Sequence, residues 1–337
     1  MRHNSARPAF LFLLFCFEIA TSAASAQDVR LYVDNSEGDD VSVIDLKTLN
    51  PVDDIHLADK VHGLAVQADG RSLFATIESD NTLRVVDTAT DEGIATIKLT
   101  GRPNQCAVTP DGHYLAVPIR DKNAVDIVDA QQQKVVKTLP VSQPHNAFNA
   151  GSNRYLFVSA MGANQINRID LTTMTYSAKV TVGGIPRPYV VTPYGTMMYV
   201  ALADLHGFMK MDVASGKMRR IAVPSENHTP KQRPFEPSNT LTHGLALSPD
   251  GTELWLTSLL DDSLYIYDLK RDKITGRVQV GDGPNWVTFS PDGKYVCVSN
   301  TGTDDVSIID VRARREVKRV KVGRAPKRIV ASVLGAE

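Results

Sequence analysis

Seven short apolar runs, each ending in an aspartate, recur along this chain of 337 residues at a nearly constant interval. The clearest run has the sequence VSIID at positions 306–310. The closing residues are Asp45, Asp87, Asp129, Asp170, Asp212, Asp268 and Asp310. Their successive spacings are 42, 42, 41, 42, 56 and 42 residues, which defines an internal repeat. The repeat constrains the fold because each unit has to bury its apolar face against its neighbours.

One repeat predicts four short strands. In the copy at 284–323, the apolar and alternating segments lie at 286–290, 295–299, 306–310 and 316–322. The first two are joined by Ser290-Pro291-Asp292-Gly293, in which proline presets a turn dihedral and glycine tolerates the left-handed region. The same turn recurs at 109–112 and 248–251. Four short strands joined by tight turns form a small antiparallel sheet.

The recurring aspartate invites a catalytic interpretation, but a structural one explains it better. It is followed by short polar turns, such as Asp45-Leu46-Lys47-Thr48. A side-chain oxygen at the start of such a turn accepts hydrogen bonds from the backbone that follows it. We therefore predict that all seven aspartates are structural.

The repeats predict an all-β chain folded as a seven-bladed β-propeller of four-stranded antiparallel blades. A solenoid is the competing repeat architecture, but its repeats usually carry a helix, and no segment here has a 3.6-residue apolar period. The repeats begin on a second strand at 29–33 and end on a first strand at 328–333. These two strands are expected to pair and close the ring without exposed sheet edges. We predict one domain over 27–337.

The repeat motif resembles a known family. Tyr32-Val33-Asp34-Asn35, Tyr199-Val200-Ala201 and the segment at 296–300 each lead into a Val-Ser-Val-Ile-Asp-like strand. This pattern resembles the YVTN-repeat family of exported propellers, which includes YncE-like periplasmic proteins. Similar propellers are the haem d1 domain of cytochrome cd1 nitrite reductase and the quinoprotein amine dehydrogenase subunits. The resemblance implies the fold and leaves the activity open, because propellers host unrelated chemistries.

Residues 1–26 have the pattern of a secretory signal peptide. Arg2 and Arg7 precede an apolar stretch at 10–20, and Ala24-Ser25-Ala26 has the small residues of a cleavage site. No later stretch has the roughly 18 apolar residues of a membrane span. We therefore expect a periplasmic or secreted protein, and we expect it to be a monomer. The formal net charge of −1 disfavours a nucleic-acid-binding function.

Two cysteines follow the predicted signal peptide, Cys106 and Cys297. Both fall at apolar positions of predicted strands and are four to five repeats apart. We predict separate buried thiols that act as small hydrophobic residues, without a disulfide. The sequence also lacks a Cys-x-x-Cys-His motif for covalent haem attachment.

Counting from the closing aspartates locates a candidate ligand-binding ring. A step of 17 residues, 16 in the shortened repeat and 31 in the fifth, reaches the entry to each innermost strand. Because innermost strands line the channel of a propeller, these side chains are expected at one mouth. The positions, with the adjacent basic residue, are His62, Asn104, His145, Arg187, His243, Asn285, Lys327 and Arg328. All are polar or basic, so we predict that the funnel mouth binds a ligand.

The fifth repeat carries an insert of about 14 residues, at about 224–241. Loops of this length in compact domains are usually functional or disordered. The insert is expected to emerge beside the ring as a lid or docking loop. Its candidate contact residues are Glu226, His228, Lys231, Arg233, Phe235 and Glu236.

Three ring residues are histidines, His62, His145 and His243, which makes a metal site one hypothesis. Neutral imidazoles that converge on one axis bind zinc, copper or iron. Metal–nitrogen bonds of about 2 Å demand close convergence, however, and these residues are two blades apart. The alternative is a polar, water-filled funnel.

Our leading hypothesis is a non-catalytic scaffold that binds a protein partner or small ligand at the mouth and needs no cofactor. The sequence contains no His-Glu-x-x-His and no Gly-x-Ser-x-Gly motif. One alternative is a cofactor- or metal-dependent periplasmic oxidoreductase subunit of the quinoprotein or haem-d1 type. In it, Arg187, Lys327 and Arg328 would pair with cofactor carboxylates. His145 or His243 would then be the axial ligand or proton donor. The second alternative is a propeller lactonase or hydrolase. Its histidines would need a metal or carboxylate partner, which the sequence does not identify.

Overall fold

The structure is a computed structural model that describes residues 28–225, 231 and 240–335, the side chain of Tyr194 excepted. The predicted signal peptide lies outside the described residues, as does most of the insert. The described chain forms seven four-stranded antiparallel sheets, which confirms the seven-bladed propeller. Three single 3₁₀ turns are present at Arg120–Lys122, Met161–Ala163 and Pro193–Gly195. Among the described residues, no helix is long and apolar enough to cross a membrane.

The blade that closes the ring, blade 7, combines both ends of the described chain. It contains β1 (Val29–Asn35), β2 (Asp40–Asp45), β3 (Asn50–His56) and, from the C-terminal end, β28 (Pro326–Val333). Its strand order is β28-β1-β2-β3, so β28 is the innermost strand. In the other blades the first strand in sequence is innermost and the fourth is outermost.

The remaining blades follow one another in the sequence. Blade 1 contains β4 (Val61–Val66), β5 (Ser72–Ile77), β6 (Thr82–Asp87) and β7 (Glu92–Lys98). Blade 2 contains β8 (Ala107–Val108), β9 (Tyr114–Ile119), β10 (Ala124–Asp129) and β11 (Lys134–Pro140). Blade 3 contains β12 (Pro144–Phe148), β13 (Tyr155–Ala160), β14 (Gln165–Asp170) and β15 (Thr175–Thr181).

The second half of the ring has the same organisation. Blade 4 contains β16 (Pro186–Val191), β17 (Met197–Leu202), β18 (Gly207–Asp212) and β19 (Met218–Ala222). Blade 5 contains β20 (Thr242–Leu247), β21 (Glu253–Ser258), β22 (Ser263–Asp268) and β23 (Lys273–Gln279). Blade 6 contains β24 (Pro284–Phe289), β25 (Tyr295–Asn300), β26 (Asp305–Asp310) and β27 (Arg315–Lys321). The insert joins blade 4 to blade 5.

The repeated aspartate ends the third strand of every blade and caps the turn that follows. In all seven copies, one carboxylate oxygen accepts a hydrogen bond from a backbone N–H two or three residues later. Asp45 Oδ1, for example, accepts from Lys47 at 2.6 Å and from Thr48 at 2.9 Å. This geometry confirms the structural interpretation of the aspartates. The capped turn directs the chain from the third strand into the outermost one.

Apolar burial between neighbouring blades holds the ring together. The buried side chains form seven clusters, and each cluster fills one junction between two adjacent blades. Cys106 and Cys297 are buried within two of these clusters and are not bonded to each other, as predicted. Burial raises the pKa of the Cys106 thiol to about 12. Both cysteines therefore act as hydrophobic residues.

Pairing of β1 with β28 closes the ring, as expected from the strand order. The register places Leu31 opposite Ala331 and Val33 opposite Ile329. The carboxylate of Asp34 reinforces the closure, because its Oδ1 accepts the backbone N–H groups of Lys327 at 3.0 Å and Arg328 at 2.7 Å. Asp34 is fully buried, and this burial raises its pKa to about 6.

The pKa of Asp34 predicts a pH-dependent contribution to stability. Because the folded-state value lies above the ordinary value of 3.8, the folded protein favours the protonated form. The carboxyl imposes no ionisation cost below about pH 4, and the full cost is present above about pH 6. At about 1.4 kcal/mol per pKa unit, that cost is about 3 kcal/mol.

Asp34→Asn keeps a side-chain acceptor and cannot ionise, so its melting temperature should rise relative to the original protein as the pH increases from 4 to 7. Thermal unfolding followed by circular dichroism measures this difference. A difference that is the same at both pH values would contradict the assignment.

Candidate functional site

The predicted ring lies where the innermost strands begin. His62, His145, Arg187, His243, Asn285 and Lys327 are each the second residue of the innermost strand of their blade. Asn104 precedes the short β8 and follows Pro103, which bridges to Ile119 of the neighbouring strand. Each innermost strand contacts the next one around the ring. The seven positions therefore form one circle at the face where the second-to-third-strand loops also emerge.

Blades 5 to 7 contribute an interlocked group of four side chains. The guanidinium of Arg328 lies over the indole of Trp286, 4.4 Å from its centroid, and donates to Asn285 Oδ1 at 3.2 Å. His243 packs edge-on against the same indole at 6.0 Å. Arg328 is 2% exposed and Asn285 is 1% exposed. A guanidinium held at this depth by stacking keeps its charge and is fixed in position.

Two histidines from blades 3 and 5 approach each other across the mouth. The ring centroids of His145 and His243 are 6.3 Å apart in an edge-on arrangement. His243 Nδ1 donates to the carbonyl oxygen of Asn285 at 3.0 Å, and His145 Nδ1 donates to the side-chain oxygen of Asn146. A neutral imidazole with its proton on Nδ1 keeps a lone pair on Nε2. Each ring therefore retains an acceptor nitrogen.

His62 lies beside a carboxylate, whereas His145 and His243 lie beside each other. Its Nδ1 is 3.6 Å from Glu78 Oε1, and Arg120 donates to the same carboxylate oxygen at 3.1 Å. Glu78 follows β5 of blade 1, and Arg120 follows β9 of blade 2. The carboxylate thus links two blades at the mouth. It offsets one of the positive charges there.

The remaining ring residues divide into a buried cation and two structural positions. Arg187 is 8% exposed, and its guanidinium contacts Met161 Sδ at 3.7 Å. Asn104 is fully buried, and its carbonyl accepts the hydroxyl of Thr76 at 2.9 Å. Lys327 is half-buried and is held through its backbone by Asp34.

Cationic side chains are concentrated at the mouth and act on its three histidines. Burial lowers the pKa of His62, His145 and His243 well below the ordinary value, and the charge of Arg328 lowers each further. Burial and the neighbouring cation of Arg120 also lower the pKa of Arg187. The three histidines are therefore neutral near pH 7. Their neighbours include four cationic side chains, Arg120, Arg187, Lys327 and Arg328.

The described part of the insert lies against the same face. Ser225 donates to Asp261, and Tyr265 donates to the same carboxylate at 2.7 Å. Lys231 contacts Asp262 and is 3.7 Å from Asp282. Glu226, His228, Arg233, Phe235 and Glu236 lie outside the described residues, so their assignment to a lid or docking loop stays a prediction.

The metal hypothesis can be compared with the geometry of the histidines. His145 and His243 are close together, whereas His62 is paired with Glu78. Among the described residues, no group of three or more His, Cys, Asp or Glu side chains is arranged to hold a metal ion.

Two residues of the mouth were missed by the repeat count. Trp286 is one position past the counted residue of blade 6, and the sequence does signal it as an aromatic at the entry of an inner strand. Glu78 lies at the exit of a second strand. Counting to the residue that follows the second strand in every repeat would have found both Glu78 and Arg120, which occupy equivalent positions in blades 1 and 2.

Comparison with known proteins shows the fold and no family. No protein-family model matches the chain, and no curated protein matches it. Hydrazine synthase of Kuenenia stuttgartiensis is 20% identical, with a TM-score of 0.72 over 84% of this chain and 92% of that chain. The Pseudomonas aeruginosa periplasmic gluconolactonase PpgL is 19% identical, with a TM-score of 0.71 over 90% and 99%.

A third structure is the dihydro-haem d1 dehydrogenase NirN in complex with DHE. It is 16% identical, with a TM-score of 0.65 over 89% of this chain and 74% of that chain. At these identities the likeness concerns the propeller fold alone. The activities of these proteins differ, so the fold does not select among them.

Removal of the Arg328 charge should raise the pKa of the mouth histidines. In Arg328→Gln, we expect the imidazoles of His62, His145 and His243 to protonate at higher pH than in the original protein. An NMR titration of the imidazole resonances, from pH 8 down to the lowest pH at which both variants stay folded, measures the change. Lys318→Gln removes an equal charge from an exposed position of the outer strand β27 and is the matched control. Identical titrations in the two variants would contradict the electrostatic account.

Proposed function

We propose that this protein is a non-catalytic binding protein of the YVTN-repeat type whose funnel mouth binds a small anionic ligand. The observation that carries the proposal is the concentration of cationic side chains at the ring, where the guanidinium groups of Arg187 and Arg328 are buried and Arg120 and Lys327 act on the same histidines. An anionic ligand with carboxylate or phosphate groups would be attracted to this charge, and guanidinium groups bind both through paired hydrogen bonds.

The neutral histidines fit the same function. Unprotonated imidazoles add hydrogen-bonding capacity to the mouth without adding a charge that varies near neutral pH. The four cations face the carboxylates of Glu78 and Asp34, and we infer that the excess of positive charge attracts anions into the funnel. Trp286 supplies an apolar surface beside them. This combination suits a ligand with a flat or apolar body and at least two acidic groups.

The location and assembly of the protein are part of the proposal. We infer that it acts in the periplasm or is secreted, as a monomer, and that a protein partner in that compartment delivers or receives the ligand. The signal-peptide pattern at 1–26 supports the location. The fold likeness to a periplasmic gluconolactonase is in keeping with it.

Anion binding should depend on Arg187. We expect citrate, used as a polycarboxylate probe, to bind the full chain and to bind Arg187→Met at least about tenfold more weakly, because a charged hydrogen bond contributes about 1.5–3 kcal/mol. Isothermal titration calorimetry at low salt measures both affinities, and added salt should weaken the binding. Lys318→Met is the control, since it removes a cation from an exposed outer strand. If the two variants bound citrate equally, or if neither citrate nor inorganic phosphate bound, the proposal would fail.

The insert should contribute to binding and not to folding. Ser225 and Lys231 contact polar residues at the mouth face and belong to none of the apolar clusters of the described chain. Replacement of residues 226–239 by a short Gly-Ser linker should change the melting temperature by no more than a few degrees and weaken citrate binding severalfold. Calorimetry and thermal unfolding give both quantities. An unfolded product would instead make the insert part of the core.

A cofactor-dependent oxidoreductase subunit is the second candidate, and the Nε2 lone pairs of His145 and His243 favour it. In this function, Arg187 and Arg328 would hold the carboxylates of a haem-like or quinone cofactor, which would supply the redox chemistry. Absorbance and metal content of the protein from its native cells distinguish the two, because only the second requires a stoichiometric chromophore or metal. No feature of the described mouth specifically favours the lactonase alternative.

A further inference from the structure

A cavity lies inside the ring, below the mouth. It has a volume of about 790 Å³ and follows the innermost strands from one or two residues beyond the mouth positions to the first-to-second-strand turns on the opposite face. Side chains become more exposed toward those turns, where Gly151, Pro193 and Gly251 border it. We call this space the shaft. Its open end and the mouth therefore face opposite sides of the protein.

The walls of the shaft are apolar and uncharged. Within the described chain, none of the lining residues carries a charge. Prominent wall residues from different blades are Leu64, Cys106, Phe148, Leu245, Trp286 and Ile329. Ligand sites in proteins are commonly cavities of about 300–1,000 Å³ with apolar walls and a few well-placed polar groups. The shaft has this size and this kind of wall.

The polar groups are two adjacent amide side chains at the inner end, Gln105 and Asn146. They lie side by side on neighbouring blades, since their backbones form an isolated parallel bridge. Gln105 is 9% exposed, and its Nε2 donates to the carbonyl oxygens of Leu64 at 2.9 Å and Cys106 at 3.0 Å. These bonds fix the amide orientation and leave Oε1 without a hydrogen-bond donor among the described residues.

Asn146 supplies the complementary group. It is 2% exposed, its Oδ1 accepts from His145, and its Nδ2 has no acceptor among the described residues. A buried polar atom without a partner costs about 1–3 kcal/mol, so a ligand that satisfies it gains affinity. Gln105 and Asn146 lie on adjacent blades and both line the shaft, so one acceptor and one donor there match a group that both donates and accepts, such as a hydroxyl.

We propose that the shaft is a second binding site, for a neutral, ring-containing apolar molecule with a hydroxyl group that bonds to Gln105 Oε1 and Asn146 Nδ2. The absence of charge in the described walls excludes the anions expected at the mouth, because an unpaired ion would be desolvated there. The shaft ligand enters from the opposite face. The inference does not depend on what the mouth binds.

The test compares two probes of nearly equal shape, 2-naphthol and 2-methylnaphthalene, by equilibrium dialysis against the full chain. Burial alone would favour the more apolar 2-methylnaphthalene. The amide pair should reverse this order and make 2-naphthol about threefold or more the tighter ligand, because the two hydrogen bonds of its hydroxyl together outweigh the burial of one methyl group. Tighter binding of 2-methylnaphthalene would overturn the hydroxyl assignment.

Variants that fill the shaft locate the site. Ala246→Trp and Thr288→Trp place a large side chain on its wall and should weaken 2-naphthol binding at least tenfold. Thr288 is half-exposed, so Thr288→Trp provides the test even if Ala246→Trp does not fold. Thr181→Trp, on the exposed outer strand β15, is the matched control and should leave binding unchanged. Arg187→Met should also leave it unchanged. Loss of binding in Arg187→Met, or unchanged binding in folded Thr288→Trp, would overturn the proposal.

Discussion

Burial of both faces of every sheet between its neighbours is the constraint on which this structure depends. A single four-stranded blade has two apolar faces and cannot cover them itself. The seven clusters occupy the seven junctions, so each blade is stabilised from both sides and no junction is left open. The capping aspartates add local order at each third-strand turn. Identical construction of the blades leaves the surfaces at the two ends of the channel free to differ in sequence.

The two ends of the central channel differ in the chemistry of their side chains. At the mouth, the second residue of the inner strand is polar or basic in every blade that has a full inner strand, and the cations of Arg187 and Arg328 are packed against Met161 and Trp286. One to three residues further along the same strands, the side chains are mostly apolar and surround the shaft. A change of a few residues along seven similar strands therefore separates an electropositive site from an apolar one.

The repeat spacing correctly predicted how far along the channel each residue lies. It did not predict which side chains from different blades contact each other. Strand ends, capping turns, ring closure and the level of His62 or Asn285 follow from counting, because every blade repeats the same backbone. The approach of His145 to His243 and the stacking of Arg328 on Trp286 depend on the channel width and on side-chain conformations, which a one-dimensional pattern does not contain. The burial of Asp34 was also out of reach, since its backbone partners are 293 and 294 residues away.

The pairing of β1 with β28 has a consequence for the order in which the blades can be completed during synthesis. Residues 326–333 supply the innermost strand of blade 7, whose other three strands come from the N-terminal end of the described chain. Blade 7 therefore stays incomplete until nearly all of the described chain has been synthesised. Until then, the junctions on both sides of that blade lack part of their cover, and such exposed edges are aggregation-prone. Closure of the ring therefore has to wait for the last strand of the described chain.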